Sequence, residues 1–191
     1  MRKAVCSGSF DPVTKGHIDI IERASRMFDE IIVCVFYNPG KVTSLFSPKE
    51  RVEMLKAATS HLPNVRVTSC SGLLNEFCEK EQASFIVRGL RAFTDFEYEF
   101  QRALLLKKIN ESLETVFIMT NANYSYISSS GVRELLAFDG DINQLVPAGV
   151  AELINKYQKR KTKYLRLCPE STGLRIQVDH ILKTLMVRML N

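Results

Sequence analysis

Residues 3–28 read KAVCSGSFDPVTKGHIDIIERASRMF, and their pattern decides the fold class. The stretch begins with a short apolar run, passes through a turn of small residues, and ends in a segment with apolar residues at helical spacing. An apolar strand followed directly by an amphipathic helix is the repeating unit of parallel α/β sheets. Ligands of such sheets lie at the carboxyl ends of the strands, so the turn over residues 8–17 is the first candidate for a functional site.

The same order of apolar run and helical segment recurs along the chain. Strands that are apolar throughout and alternate with helices indicate a parallel sheet covered on both faces. The sequence therefore predicts an α/β fold, a doubly wound, five-stranded, Rossmann-like parallel sheet with C-terminal helices. Capping boxes at Ser47–Glu50 and Thr94–Glu97 predict two helix starts, and Pro147 predicts a third. The predicted pairs are KAVCS with HIDIIERASRMF, EIIVCVFYN with PKERVEMLKAATSHL, VRVTSC with LLNEFCEKEQ, SFIVRG with TDFEYEFQRALLLKKIN, and TVFIM with SSGVRELLAF.

The positive charge of the chain is concentrated near its C-terminus. The formal net charge is +5, but from Lys156 onward nine basic residues face two acidic ones. We predict a domain over residues 1–159 and a basic C-terminal extension over residues 160–191 that ends in an amphipathic helix. We favour packing of this helix on the body; an oligomer contact and a segment that touches membrane or nucleic acid stay open as alternatives. Because the preceding region is not basic, we expect no nucleic-acid partner.

Membrane association and disulfide bonds are not expected either. No apolar run approaches the roughly 20 residues of a membrane span. The five cysteines show neither a CxxC pair nor zinc-type spacing. We therefore expect a cytoplasmic protein, with no membrane partner, whose cysteines are reduced and mostly in the core.

The turn at residues 8–17 suits a phosphate group. Gly8 and Ser9 permit close approach of an anion to the backbone, and the following helix points its free N–H groups and positive dipole end the same way. His17, at that helix start, can donate a hydrogen bond to a phosphate oxygen. The turn lacks the third glycine of GxGxxG and the Lys-Ser or Lys-Thr of a Walker loop, which disfavours a dehydrogenase and a P-loop kinase.

Other predicted strands also end in residues suited to phosphate. Arg88 and Arg91, separated by one turn, would form a planar clamp with several N–H donors. Ser128–Ser130 open a helix with hydroxyls and free N–H groups, one of which we expect to serve as the N-cap. Lys41 lies in a loop after the second strand. Because the strands are parallel, these groups are expected to converge at one edge of the sheet.

The acidic residues of the fourth helix leave one question open. Asp95 and Glu97 are interpreted as helix-capping carboxylates. Glu99 either does the same or faces the site and accepts hydrogen bonds from a ribose or base. No Ser, Cys or Thr stands in a recognisable arrangement with a base, and no close metal-ligand cluster occurs, so the predicted site holds and neutralises phosphate without a covalent intermediate.

Three motifs together carry a family resemblance: GSFDPVTKGH (8–17), RGLRAFTDFEYEFQ (88–101) and YSYISSS (124–130). With them the chain resembles the bacterial phosphopantetheine adenylyltransferases of the nucleotidylyltransferase superfamily, from about Lys3 to Gln158. The first motif is shared with many nucleotidylyltransferases and class I aminoacyl-tRNA synthetases, whereas the second is far more specific. The resemblance implies transfer of the adenylyl group of ATP to 4′-phosphopantetheine, with Mg²⁺, giving dephospho-coenzyme A and pyrophosphate.

The resemblance also implies roles for single residues. His17 would stabilise the transition state at the α-phosphate, and Lys41 and Arg88 would hold the attacking phosphate. The residues implied to bind ATP are Ser9, Phe10, His17, Gly89, Leu90, Arg91, Glu99, Tyr124, Ser125, Tyr126, Ile127, Ser128, Ser129 and Ser130. Those implied to bind 4′-phosphopantetheine are Ser9, Lys41, Leu74 and Arg88, and no residue is implied to be a metal ligand.

The resemblance further implies a homohexamer inhibited by coenzyme A. The chain departs from the family pattern in four places: Ser9 stands where Thr is usual, Leu105-Leu106-Lys107 replaces Met-Asn and a basic residue, Tyr124 replaces a frequent Trp, and the tail extends beyond residue 160. Two alternatives stay open, namely a nucleotidylyltransferase for another phosphate-bearing substrate and a non-catalytic module that binds a nucleotide or coenzyme A.

Overall fold

The computed structural model describes residues 1–36 and 44–167, apart from the side chains of Phe93, Thr94 and residues 160–167. Lys41 and the predicted terminal helix of the tail lie outside the described residues. Strands and helices alternate as the sequence predicts. In chain order they are β1 (Lys3–Gly8), α1 (Lys15–Ser25), β2 (Glu30–Phe36), α2 (Pro48–Ala58), β3 (Val65–Cys70), α3 (Leu74–Glu81), β4 (Phe85–Leu90), α4 (Phe93–Ile109), β5 (Glu114–Met119), a 3₁₀ turn (Ala122–Tyr124), α5 (Ser129–Ala137) and α6 (Ala148–Leu167).

The strands form one parallel sheet in the order β3-β2-β1-β4-β5. The predicted doubly wound sheet is thereby confirmed. The chain moves outward from β1 through β2 to β3 and then crosses to β4 on the other side of β1. This reversal places the carboxyl ends of β1 and β4 side by side, with the turn after Gly8 and the segment around Arg88 on either side of the switch point.

Helix α1 packs closely on β4 because Gly89 has no side chain. A Cβ atom at Gly89 would lie 2.8 Å from Cγ1 of Ile20, which is 5 % exposed on α1. The close approach of helix and strand brings the N-terminus of α1, with His17, next to the end of β4. Gly89 therefore sets the spacing between two parts of the predicted site.

Replacing Gly89 with alanine is expected to destabilise the fold by about 1–3 kcal/mol, because the added methyl overpacks the contact with Ile20. The matched control is Gly149→Ala on α6, where a new Cβ meets nothing within 4 Å. That change is expected to be neutral or stabilising by about 0.4–1 kcal/mol. Urea unfolding of both variants measures the difference, and equal stabilities would contradict the role given to Gly89.

Two helix boundaries differ from the predictions. The box at Ser47–Glu50 is confirmed at the start of α2, but α4 begins at Phe93 with Ala92 as an N-cap that makes no side-chain hydrogen bond, so the second predicted box is wrong. Helix α6 continues to Leu167, past the predicted domain boundary after residue 159. The basic segment KRKTKYLRL has no Gly or Pro, and Lys, Arg and Leu are good helix formers, so nothing local stops the helix.

The prediction of reduced cysteines is wrong for Cys34 and Cys70, which form a disulfide between β2 and β3. Cys34 pairs in register with Thr68, so Cys70, two residues further, points to the same face with a Cα–Cα distance of 6.1 Å. That distance lies within the range a disulfide spans. Cys6 and Cys78 are free and buried, as predicted.

The chain divides after Ala151 into two units, Met1–Ala151 and Glu152–Asn191. The first holds the whole sheet, and α6 begins in it. The predicted boundary after residue 159 stays a prediction. In the part of the chain described, no helix combines the length and the apolar character that crossing a membrane requires.

Candidate active site

A cavity of about 520 Å³ opens at the carboxyl ends of β1 and β4. This volume lies in the range of small-molecule sites, about 300–1,000 Å³. The fold brings most of the predicted site residues to it from five separate segments of sequence. Those that line the cavity are Ser9, Phe10, His17, Arg88, Gly89, Arg91, Glu99, Ile127, Ser128, Ser129 and Ser130.

The other predicted site residues lie elsewhere. Leu90 is buried at the end of β4, and residues 124–126 are not part of the cavity lining, with Tyr126 71 % exposed. Leu74, on α3, lines a small second cavity that shares Arg88 and Glu99 with the first. Leu106 lines this second cavity too, so the departure from the family at that position places an apolar side chain there.

Phe10 shapes the turn after β1. Its φ of +46° is a left-handed conformation that costs a non-glycine residue roughly 1–2 kcal/mol. The ring folds back over Gly8, where a Cβ would lie 3.0 Å from Phe10 Cζ, and its edge meets the His17 ring at a centroid distance of 5.0 Å. Gly8 thus makes room for an aromatic ring that supports His17.

The buried side chains of Asp11 and Arg51 fix this turn through hydrogen bonds. The Asp11 carboxylate accepts the backbone N–H groups of residues 45–46 at 2.9 Å each, and the Arg51 guanidinium donates to the Ser9 carbonyl at 2.9 Å. Arg133, on α5, donates to the Asp11 carbonyl at 2.7 Å and also lines the cavity. No pattern in the sequence indicates these three residues, because their contacts join residues 34 to 122 positions apart.

His17 occupies the first turn of α1 beside two arginines. Its Nδ1 atom lies 3.0 Å from both the backbone nitrogen and the hydroxyl oxygen of Thr14. Burial, followed by the charges of Arg91 and Arg88, lowers the pKa of His17 from 6.5 to about 4. One side of the ring faces the cavity and is only partly desolvated, but the pKa still lies well below 7. The imidazole is therefore neutral at pH 7 and can act as a hydrogen-bond donor.

This lowered pKa makes stability fall as pH drops from about 6.5 to about 4. In that window the unfolded chain protonates His17 and the folded chain does not, so proton uptake favours unfolding. The melting temperature of the wild type is expected to fall more steeply over the window than that of His17→Gln. The two curves should run parallel above pH 7, and parallel curves throughout would contradict the lowered pKa.

Arg88 is held from two sides at the end of β4. Its Nε donates to Glu99 Oε2 at 2.6 Å, a second donor meets Glu99 Oε1, and Nη1 donates to the Ser7 carbonyl at 2.6 Å. The side chains of Arg88 and Glu99 are only 19 % and 14 % exposed. Both oxygens of Glu99 are thus engaged by Arg88, and the carboxylate faces the site rather than only capping α4.

Arg91 pairs with Asp95 in the same way but closer to solvent. Arg91 Nε donates to Asp95 Oδ2 at 3.1 Å, and its backbone N–H donates to the same oxygen at 3.2 Å. Another donor of the guanidinium reaches the Ile127 carbonyl at 3.3 Å. Arg88 and Arg91 therefore each have a carboxylate partner on α4, which fixes the direction of their remaining donors.

The three serines at the start of α5 differ in their contacts. Ser128 is the N-cap, since its hydroxyl accepts the Gly131 N–H at 3.0 Å, as predicted for one of the three. Ser129 donates to the Pro12 carbonyl at 2.8 Å and ties α5 to the first turn. Ser130 donates to the Ser128 hydroxyl at 3.2 Å. The start of α5 adds hydroxyls and helix N–H groups to the cavity.

The cavity combines neutral and positive donors and lacks an evident base. The acidic residues in its lining are Asp95 and Glu99, and both are engaged by arginines. Across residues 1–36 and 44–167, no group of three or more His, Cys, Asp or Glu side chains is arranged to hold a metal ion. Such a cavity can bind phosphate groups, orient them and neutralise their charge.

Comparisons with known proteins agree with this chemistry. A family model described as cytidylyltransferase-like matches residues 5–135. A phosphopantetheine adenylyltransferase of Caldanaerobacter subterraneus is 52 % identical over 160 residues, which cover 83 % of this chain and 99 % of that protein. One from Heliobacterium modesticaldum is 52 % identical over 158 residues, covering 82 % and 94 %.

A solved structure shows the same fold at low sequence identity. It is a Vibrio parahaemolyticus protein assigned as a nicotinate-nucleotide adenylyltransferase, with a TM-score of 0.62 and 22 % identity. The match covers 82 % of this chain and 93 % of that one. At this identity the likeness concerns the fold alone.

Proposed function

Because the chain belongs to the phosphopantetheine adenylyltransferases, a cytidylyltransferase-like family, we propose that it transfers the adenylyl group of ATP to 4′-phosphopantetheine by direct in-line attack. The products are dephospho-coenzyme A and pyrophosphate, and the reaction belongs to coenzyme A biosynthesis. The observation that supports this mechanism is that a neutral His17 and the guanidinium of Arg88, fixed by its hydrogen bonds, line the same cavity at the switch point of the sheet.

The attacking group needs no base from the protein. It is a phosphate monoester, whose second pKa is about 6, so it is mostly ionised at pH 7. In the described part of the chain, both carboxylates that line the cavity are engaged by arginines. This arrangement suits a reaction in which the nucleophile arrives already deprotonated.

Different residues bind the attacking substrate and stabilise the transition state. We assign Arg88 and Ser9, with Lys41 and Leu74, to 4′-phosphopantetheine, so that the phosphate oxygen is held in line with the α-phosphate. His17 donates a hydrogen bond to the α-phosphate as negative charge develops there. Neutral His17 can do this at pH 7 without a proton-transfer step, because its pKa is about 4.

The ATP side of the cavity is formed by β4 and α5. Arg91 and the hydroxyls and N–H groups of Ser128–Ser130 suit the triphosphate. We assign the other residues predicted for ATP to the nucleoside and its surroundings. These are Ser9, Phe10, Gly89, Leu90, Glu99, Tyr124, Ser125, Tyr126 and Ile127.

We propose that Mg²⁺ accompanies ATP instead of occupying a resident protein site. The donor set fits this arrangement, since Mg²⁺ commonly binds substrate phosphates and keeps several waters. The described chain gathers no cluster of metal-ligating side chains, and the cavity carboxylates face arginines. When bound, Mg²⁺ would neutralise part of the charge of the triphosphate.

A pyrophosphate-release assay tests the proposal against its alternatives. ATP with 4′-phosphopantetheine is compared with ATP plus nicotinate mononucleotide and with CTP plus glycerol phosphate. Turnover with the first pair alone is the expected result. Turnover with either other pair would make the chain a nucleotidylyltransferase for another substrate, and coenzyme A binding without any turnover would make it a binding module.

We propose that the protein assembles as a homohexamer through the outer face of α4. Leu104, Leu105 and Ile109 on this helix are 56 %, 62 % and 55 % exposed, although large apolar side chains are normally covered. Sedimentation of the wild type should show a hexamer and Ile109→Lys a smaller species. The control Phe138→Lys changes an apolar residue that is 71 % exposed beyond α5 and should leave the hexamer intact. A monomeric wild type would contradict the proposal.

We propose a cytoplasmic location and inhibition by coenzyme A, both implied by the family. Coenzyme A contains the skeleton of the product, so it should compete with ATP and raise the apparent KM for ATP in the same assay. Because disulfides are uncommon in the cytoplasm, a Cys34–Cys70 bond that is found intact in protein isolated with its free thiols blocked would contradict this location. Cell fractionation decides the location.

A further inference from the structure

The hydrogen bonds around His17 determine which ring nitrogen carries its proton. A neutral imidazole has one N–H donor and one acceptor nitrogen. The backbone N–H of Thr14 lies 3.0 Å from His17 Nδ1, and a backbone amide can only donate. If Nδ1 carried the proton, two N–H groups would face each other at that distance. Nδ1 must therefore be the acceptor, and the proton lies on Nε2.

The Thr14 hydroxyl takes part in the same arrangement. Its oxygen accepts the His17 backbone N–H at 3.4 Å and lies 3.0 Å from Nδ1, so its own proton is free to be donated to Nδ1. These contacts form a capping box at the start of α1 in which His17 takes the place usually held by Glu or Gln. The same contacts between Thr14 and His17 therefore cap the helix and fix the orientation of the ring.

We propose that Thr14 is a positioning residue that holds the His17 ring in the tautomer with its proton on Nε2, so that this N–H is presented to the cavity. His17 lines the cavity, and within the described residues its Nε2 has no hydrogen-bond partner. The edge contact with Phe10 limits rotation of the ring from the other side. For the reaction, the inference rests on the proposed function, in which the donated proton faces the α-phosphate.

Ring ¹⁵N NMR at pH 7 tests the tautomer without any substrate, so its outcome is independent of whether the proposed reaction occurs. His17→Gln identifies the His17 signals among the three histidines of the chain. We expect an unprotonated Nδ1 and a protonated Nε2 in the wild type and in Thr14→Ser. Thr14→Val keeps the backbone N–H but loses the hydroxyl, which is hydrogen-bonded to the His17 backbone N–H and lies 3.0 Å from Nδ1. The ring can then turn away from the Thr14 backbone N–H, so a detectable fraction with the proton on Nδ1 should appear. A wild type protonated on Nδ1 would overturn the proposal.

Kinetics of the Thr14 variants, with a control variant at the N-cap of α2, separate positioning of His17 from a general loss of helix capping. Thr14→Val is expected to lower kcat about tenfold with KM within about twofold, and Thr14→Ser to stay near the wild type. Ser47→Ala removes the matching capping box of α2 and should leave the His17 signals unchanged. Two results would overturn the role of Thr14. One is an equal change of the His17 ring ¹⁵N signals in Ser47→Ala and Thr14→Val, and the other is that Thr14→Val leaves these signals and kcat unchanged.

Discussion

Replacing His17 with alanine is expected to lower kcat by about 10²–10³, which corresponds to a loss of about 2.7–4 kcal/mol of transition-state stabilisation. The KM for ATP should change little, because a donor used only as charge develops at the α-phosphate contributes to the transition state and not to substrate binding. Steady-state kinetics with ATP and 4′-phosphopantetheine measures both quantities. The variant also loses the edge contact with Phe10, so its melting temperature is measured alongside.

His61→Ala is the matched control for this prediction. His61 bonds the Glu22 carboxylate at 2.9 Å on the surface, where its side chain is 54 % exposed, and it does not line the cavity. Its replacement should leave kcat and KM unchanged. A normal kcat in His17→Ala would show that His17 does not stabilise the transition state. A raised KM for ATP with a normal kcat would show instead that His17 binds the substrate in the ground state.

The strands and helices of the parallel sheet were predictable because their signals are local. Apolar runs mark the strands, and Ser47 and Pro48 mark the start of α2 within a few residues. The predicted box at Thr94 is wrong although it matches a local pattern, because the N-cap of α4 is Ala92, two residues earlier, just after β4 ends. Local patterns therefore identify helices more reliably than their first residue.

The residue types of the candidate site were also predictable, but their partners were not. Arginines and serines at strand ends indicate phosphate binding wherever parallel strands meet. The partner of Arg88 is Glu99, 11 residues away, and it reaches β4 only because α4 folds back across the strand. Arg51 is 2 % exposed beneath the turn at Ser9, and no spacing in the sequence indicates that contact.

Replacing Arg88 with methionine is expected to have the largest effect on stability. The change leaves the Glu99 carboxylate, only 14 % exposed, without its partner, and the Ser7 carbonyl without a donor. Removing one member of a buried ion pair costs about 3–5 kcal/mol, because the remaining charge is uncompensated. Urea unfolding measures this loss, and kcat/KM for 4′-phosphopantetheine is expected to fall about 10²–10³ as a phosphate donor disappears.

Arg66→Met is the matched control. Arg66 also meets two carboxylates, those of Glu30 and Glu81, but it lies outside the cavity and its side chain is 45 % exposed. Exposed pairs contribute about 0–1 kcal/mol, so a small loss of stability and no change in kcat/KM are expected. A loss in Arg66→Met as large as that in Arg88→Met would mean that burial of the Arg88 pair is not the cause.

The double variant Arg88→Met/Glu99→Gln separates the structural and functional roles of Arg88. Removing the orphaned charge of Glu99 should restore much of the stability, since neutral replacements of a buried pair are often well tolerated. It supplies no donor for the attacking phosphate, so kcat/KM should stay low. Recovery of activity together with stability would show that Arg88 supports the fold around the cavity and does not bind the substrate phosphate.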